Sequence, residues 1–288
     1  MTKMVAKTLV RASTTFRRDQ IEAWQRVLSC ETNPNAIWAM ELIIQNSLAA
    51  AANSTPLCDD TGIPHLFFEV GPEYAITSEL LSAVNEGVAM GLRMLPGRPM
   101  AVCGDDINRL DQSGSLDIDP GAVLPSPVLI KRVDDKILRL HIVLEGGGPA
   151  IRGQSYHIFH QHKWEVLRNQ VVEWGIEAVS RLGCSPCTLA IGIGRSHFEA
   201  AALMLEAQVF GSYNEQSDLE GEITEMVNKA EVGALGLGGD TSVLATFMKV
   251  GPQRASGVRI VCLRPCCCVE PRVANVELGK TLDWAYRY

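Results

Sequence analysis

The sequence contains no run of the roughly 18 consecutive apolar residues that a membrane-crossing helix requires, so no such helix is expected. The N-terminal stretch MTKMVAKTLVRAST is basic and mildly apolar, but it lacks an apolar core followed by a small-residue cleavage site. No signal peptide is therefore read, and a cytoplasmic location is expected. Positive charge is also short: 26 Lys and Arg against 33 Asp and Glu leave a net charge of −7. Neutralising nucleic-acid phosphates takes clustered Lys and Arg, so nucleic acid is not an expected partner. Scattered basic side chains still suit a small anionic substrate. No internal repeat and no low-complexity segment occurs.

What is present is a chain of 288 residues, 47% hydrophobic, long enough to bury a sizeable core. The first third reads as helical. RRDQIEAWQRVLSCE spaces Ile21, Trp24, Val27 and Leu28 at helical intervals, and NPNAIWAMELIIQNSLAAAANS follows a proline break. TSELLSAVNEGVAMGLRML is a third helix, capped by Thr77 or Ser78. Leu66 to Val70 reads as a short strand, with Cys58 on the loop entering it. Gly97 to Pro125 is rich in Asp, Gly, Ser and Pro and reads as a long loop. PVLIKRVDDKILRLHIVLEGGG is expected to form a β-hairpin turning at Asp134 and Asp135. A helix over Lys163–Leu182, a strand–turn–helix through CTLAIGIGRSHFEAAALMLEAQ, a helix near Glu220–Lys229 and a buried strand at Val258–Leu263 complete the chain. The order predicts an α+β fold: a helical N-terminal part, then a mixed β-sheet core flanked by helices. A single domain over 1–288 is expected, with residues 1–55 as a helical lead-in.

Nine cysteines in a chain too long to need disulfide staples direct attention to metal or redox chemistry. Cys30, Cys103 and Cys262 read as small core hydrophobes. Cys58, Cys184 and one of Cys266, Cys267 and Cys268 each sit on a loop near Gly or Pro, where thiolates can converge without straining an element. The tight ferredoxin spacing is missing. Cys184-Ser185-Pro186-Cys187 is a CxxC, a redox pair or half a zinc site, but no second CxxC exists. His157, His160 and His162 form a weaker metal candidate. The glycine turns GIGRSHFEA and GLGGDTS read either as anion-receiving helix entries or as tight connections. The first has neither a Walker lysine nor a GxGxxG.

Together these pieces resemble the α subunit of class I, iron–sulfur-dependent fumarate hydratases and L-tartrate dehydratases. The family's Pro-x-Cys-Gln-Asp-Thr-Gly is similar to Pro56-Leu57-Cys58-Asp59-Asp60-Thr61-Gly62, and its Arg-Pro-Asn to Arg98-Pro99-Met100. Its Gly-Gly-Gly-Ser-Glu resembles Gly146-Gly147-Gly148-Pro149-Ala150. Its Cys-Pro-Pro, apolar strand and Gly-Ile-Gly-Gly-Thr resemble Cys184-Ser185-Pro186 and then LAIGIGRS. Its Gly-Pro-Gln-Gly-Leu-Gly-Gly is similar to Gly233–Gly239, and its closing Cys-x-x-x-Arg-Arg-Ala to Cys268–Ala274. The blocks occur in order from Pro56 onward.

The resemblance implies a [4Fe–4S] cluster held by Cys58, Cys184 and Cys268, with one iron left open to substrate as a Lewis acid. It places Asp59, Asp60, Arg98 and Gly147 at a small hydroxy-dicarboxylate, with Arg98 pairing a carboxylate and Asp60 as the catalytic carboxylate. It also implies a β subunit as partner, in a heterodimer or an α2β2 assembly. Departures stand at Asp59 for the family Gln, at Met100, at Arg195 where the family has Gly, and at Arg254 near the family's last His. They leave open a non-catalytic homologue, and the cysteines alone leave open a zinc-binding interaction protein. Alternation along an extended segment predicts that Cys267 faces away from Cys268 and that Cys266 shares its side.

Overall fold

The structure is a computed structural model that describes residues 1–279. In chain order its elements are α1 (Thr2–Thr14), α2 (Arg18–Cys30), α3 (Pro34–Asn53), β1 (Ile63–Val70), α4 (Ser78–Met94), α5 (Asp106–Asp111), β2 (Leu129–Arg132), β3 (Leu138–Glu145) and α6 (Gly147–Ala150). Then follow β4 (Gln154–Phe159), α7 (Trp164–Ser180), β5 (Cys187–Gly194), α8 (His197–Phe210), α9 (Asp218–Asn228), β6 (Val243–Val250), β7 (Val258–Cys266) and β8 (Arg272–Glu277). This is the α+β fold expected, with helices first and mixed sheets after. The chain forms two compact units, each built from separated segments: residues 1–15, 49–146 and 272–279 make the first, and residues 16–48 and 147–271 the second.

The first unit carries a sheet in the order β2-β1-β3-β8. Alternation puts Leu66 and Phe68 of β1 and Leu138, Leu140, Ile142 and Leu144 of β3 on one face, where they pack on α1 and α4 through Val5, Leu9, Leu80, Val84 and Val88. Each such side chain, fully buried, contributes about 1.5–3 kcal/mol. α1, which the sequence reading passed over, therefore supplies part of this core. Thr77 is the N-cap of α4, its hydroxyl accepting from the Leu80 N–H.

The expected hairpin is not formed. β3 pairs antiparallel with β1, and β2 lies on the other side of β1, parallel to it. The reason lies in β1, whose buried residues on both faces call for a neighbour on each edge. The Asp134–Asp135 turn also lacks the Asn-Gly or Asp-Gly that closes a two-residue hairpin.

The second unit carries a sheet in the order β4-β7-β5-β6. β5 is buried along its whole length and pairs parallel with β6 and antiparallel with β7, as an apolar central strand should. α8 lies so close on β5 that a Cβ at Gly192 would stand 2.0 Å from the Ala200 carbonyl oxygen, so only glycine fits there. Among the presumed core cysteines, Cys262 is buried, Cys103 is half-buried and Cys30 is exposed. Cys30 departs from expectation because it ends α2 on the solvent side of the helix.

Candidate functional site

The first unit places Cys58, Asp59, Asp60 and Arg98 near one another. Cys58 is half-buried on the loop before β1, its thiol 3.5 Å from Asp59 Oδ1. Asp59 is exposed, and its Oδ2 lies 4.0 Å from Arg98 Nη1, a loose pair worth little in water. Asp60 Oδ1 accepts from the Gly62 N–H at 3.2 Å, closing a tight turn. The strand-side anchor is Arg272 of β8, which is 2% exposed and donates from Nη1 to the Asp60 carbonyl at 2.7 Å. Gly62 sits at φ +80°, and a Cβ there would meet Arg272 Nη2 at 2.6 Å and the Glu145 carbonyl carbon at 2.9 Å. Glycine at this position is what lets the Cys58 loop lie against β3 and β8. Arg272 stood in the sequence motif, but its anchoring role did not show there.

The second unit brings Cys184 and Cys268 together from segments far apart in sequence. The Cys268 N–H donates to the Cys184 carbonyl at 2.8 Å, and their thiols hydrogen-bond. Hydrogen bonds with the Cys184 thiol and then the Cys267 thiol, followed by burial, hold the Cys268 thiol well above its ordinary pKa. A bound cation would reverse that order and favour the thiolates. Cys184 is exposed and Cys268 half-buried.

Cys266 ends β7 opposite Thr188, fully buried, with its thiol on Gln208 of α8. It does not share the side of Cys268. Cys267 does not face away: its thiol hydrogen-bonds that of Cys268 and raises the buried Cys187 thiol, second to the effect of burial itself. Alternation fails here because β7 ends at Cys266 and the next residues turn.

The Cys184 loop is supported from below. The Ser185 hydroxyl donates to the Gly233 carbonyl at 2.6 Å, and the Leu235 N–H donates to the Ser185 carbonyl at 2.9 Å. The residues just before GLGGDTS therefore pack against this loop, and within GLGGDTS the N–H groups of Gly236, Leu237, Gly238, Asp240, Thr241 and Ser242 are already in use. Glu31 accepts from the N–H groups of Thr32, Asn33, Asp240 and Thr241, an internal carboxylate filling the nest. The α8 entry is likewise satisfied from within. Glu199 accepts from the Arg195 N–H and guanidinium, and Arg195 holds its carboxyl down at about 2. Arg195 thus serves a local salt bridge. Of the histidines, His160 is engaged at both ring nitrogens, by the Ser256 carbonyl and the His162 N–H.

Gly147 opens α6 in the second unit and is exposed. The cavity that follows, of about 550 Å³, is lined by Ile151, Arg152, Gly153, Gln154, Trp174 and Arg181 among others. It contains none of the predicted site residues. Arg152 is turned to the Arg181 and Gly148 carbonyls, and Arg181 to Glu177. Within either unit, among the described residues, no three His, Cys, Asp or Glu side chains stand together as a metal site.

The fumarate hydratase (Fumerase) family model matches residues 2–277. The chain belongs to this family. As a member of the fumarate hydratase family it is a hydro-lyase acting on a small dicarboxylate. It is 25% identical over 275 residues to the L(+)-tartrate dehydratase subunit alpha of Escherichia coli strain K12, covering 92% of this chain and 87% of that one. A second Escherichia coli relative of that name, from strain UTI89, is 24% identical over 292 residues, with 98% and 93% covered. The Shigella sonnei subunit alpha is 25% identical over 275 residues, with 92% and 87% covered. The donor chemistry of Cys184 and Cys268, a soft pair of adjoining thiols, fits the iron–sulfur cofactor that the fumarate hydratase family implies.

Proposed function

We propose that this chain is the α-type subunit of an iron–sulfur hydro-lyase that eliminates water reversibly from a small hydroxy-dicarboxylate of the tartrate or malate type. The cofactor is a [4Fe–4S] cluster, with Cys58, Cys184 and Cys268 as its ligands. When bound, the cluster supplies a Lewis-acid iron that makes a hydroxyl a better leaving group. The observation that carries the reading is the convergence of Cys184 and Cys268, far apart in sequence, within a fumarate hydratase family fold.

The remaining chemistry belongs to the chain's own side chains. Arg98 binds a substrate carboxylate through its planar fork and orients the diacid. Gly147 is a further residue at the substrate. Asp60, held in its turn by Gly62 and Arg272, is the carboxylate placed at proton transfer. Asp59 lies beside Arg98 and tempers its charge, favouring substrates that bring a hydroxyl donor as well as an anion. A β subunit, matching the "subunit alpha" names of the relatives, completes the enzyme.

Anaerobic co-expression with a β-type subunit, followed by hydratase assays over a panel of hydroxy diacids, tests the reading. Water elimination from one diacid, accompanied by bound iron and sulfide, is expected. Anaerobically reconstituted protein that takes up no iron while all three cysteines are intact would sink it. A second reading, a non-catalytic subunit that keeps the fold, is favoured by Asp59, which stands where the family has Gln and brings a negative charge to 4.0 Å from Arg98. Iron uptake without activity in the presence of the partner would select it.

A further inference from the structure

Arg264 and Glu270 form an ion pair that is 4% and 1% exposed, with Nη2 to Oε2 at 3.0 Å. Arg264 belongs to β7, a central strand, opposite Ala190 of β5. An arginine at this depth is costly to desolvate, and a buried pair is often replaceable by apolar residues without loss of stability. Its placement is therefore informative. Glu270 closes the turn that follows β7, its N–H donating to the Cys267 carbonyl at 2.9 Å. Inside that turn the Cys268 N–H reaches the Cys184 carbonyl. The guanidinium on the rigid strand thus fixes the far end of the turn that presents Cys268 to Cys184.

We propose that Arg264 and Glu270 are positioning residues for the Cys184–Cys268 thiol pair. They set the turn so that the two thiols act as one bidentate donor. This deepens the proposed function, because the pair is then a preformed part of the cluster site, but the geometric claim can be read without any iron.

The test uses the reduced, metal-free full chain under anaerobic conditions, titrated with phenylarsenoxide. The arsenical takes two thiols, forming two As–S bonds, and its oxygen leaves as water with the two thiol protons. Wild type is expected to bind one equivalent tightly, and Cys184→Ser is expected to abolish that binding. The double variant Arg264→Met/Glu270→Leu keeps its fold by circular dichroism but binds about 10–100-fold more weakly, the range typical when support behind a metal ligand is removed. Glu270→Gln keeps side-chain length and a hydrogen-bond acceptor for Arg264, and stays close to wild type. Glu270→Asp keeps the charge but shortens the reach, and falls toward the double variant. A folded double variant with wild-type affinity overturns the proposal. So does Glu270→Asp binding as tightly as Glu270→Gln, a comparison that stands even where the double variant does not fold. Parallel iron–sulfide reconstitution separates the two claims: absence of iron in wild type, with the arsenical order intact, defeats the cluster reading and leaves the positioning role standing.

Discussion

Gly62→Ala probes the loop that carries Cys58, Asp59 and Asp60. Two costs arise there. A left-handed backbone at φ +80° disfavours a Cβ by about 1–2 kcal/mol. The new methyl would also stand 2.6 Å from Arg272 Nη2 and 2.9 Å from the Glu145 carbonyl carbon. The second of these is strand backbone that cannot step aside, and forced overpacking adds about 1–3 kcal/mol. Against this, alanine restricts the unfolded chain and returns roughly 0.4–1 kcal/mol. The net expectation is a loss of about 1–5 kcal/mol.

Two controls divide the sum. Gly183 shares the positive φ, at +76°, but an added Cβ there meets nothing within 4 Å, so Gly183→Ala carries the backbone cost alone, about 1 kcal/mol or less. Gly148 lies in α6 with open space and no positive φ, so Gly148→Ala is expected to stabilise by about 0.4–1 kcal/mol. Urea unfolding followed by circular dichroism reads all three as shifts in midpoint. Should the two units melt separately, Gly62→Ala moves the transition of the first and the controls that of the second. Gly62→Ala costing no more than Gly183→Ala would refute the close packing of the Cys58 loop against β3 and β8.

Each of Cys58→Ser, Cys184→Ser and Cys268→Ser should lower iron content after anaerobic reconstitution, whereas Cys266→Ser, whose thiol is buried on Gln208, should leave it intact. Arg98→Ala should lower kcat/KM about 10–100-fold by removing a charge-assisted contact worth about 1.5–3 kcal/mol, with Arg98→Lys recovering only part of it in steady-state assays. Arg195→Ala should raise the Glu199 carboxyl from about 2 toward its ordinary value of 4.5 in an NMR titration, with activity unchanged. A fall in activity would place Arg195 at the substrate instead.

Much of the fold was legible because periodicity and capping are local. α4, α8 and α9 carry their N-caps in sequence at Thr77, Ser196 and Ser217, and the apolar run of β5 announced a buried strand. The hairpin misled because strand partners are chosen by the whole sheet: β1, which ends 68 positions before β3 begins, takes the edge that Leu129–Arg132 was expected to fill. The cysteine run misled in the same way. Alternation holds only inside a strand, and β7 stops at Cys266. A nearer signal was available in VRIVCLRPC, where an arginine inside an otherwise apolar strand calls for a buried acid, and Glu270 supplies it.

His141 shows how a buried group of the first unit ties stability to pH. It is 4% exposed on β3, its Nε2 is 2.8 Å from Glu69 Oε2, and Arg139 reaches the same carboxylate oxygen at 3.1 Å. Burial pushes the imidazole pKa below 6.5. The hydrogen bond to Glu69 and its charge pull the other way, and the Arg139 charge adds to the depression. A depressed pKa means that between the folded value and 6.5 the unfolded chain binds more protons than the folded one. Stability contributed by neutral His141 is therefore fully present above 6.5 and is lost as pH falls through the lower folded value. Urea midpoints taken from pH 7.5 down to 5.5 should fall for wild type. They should fall less for His141→Gln, which keeps a neutral hydrogen-bonding side chain that cannot titrate. Parallel slopes for the two proteins would mean that Glu69 holds the imidazole protonated and that its charge, rather than burial, governs the site.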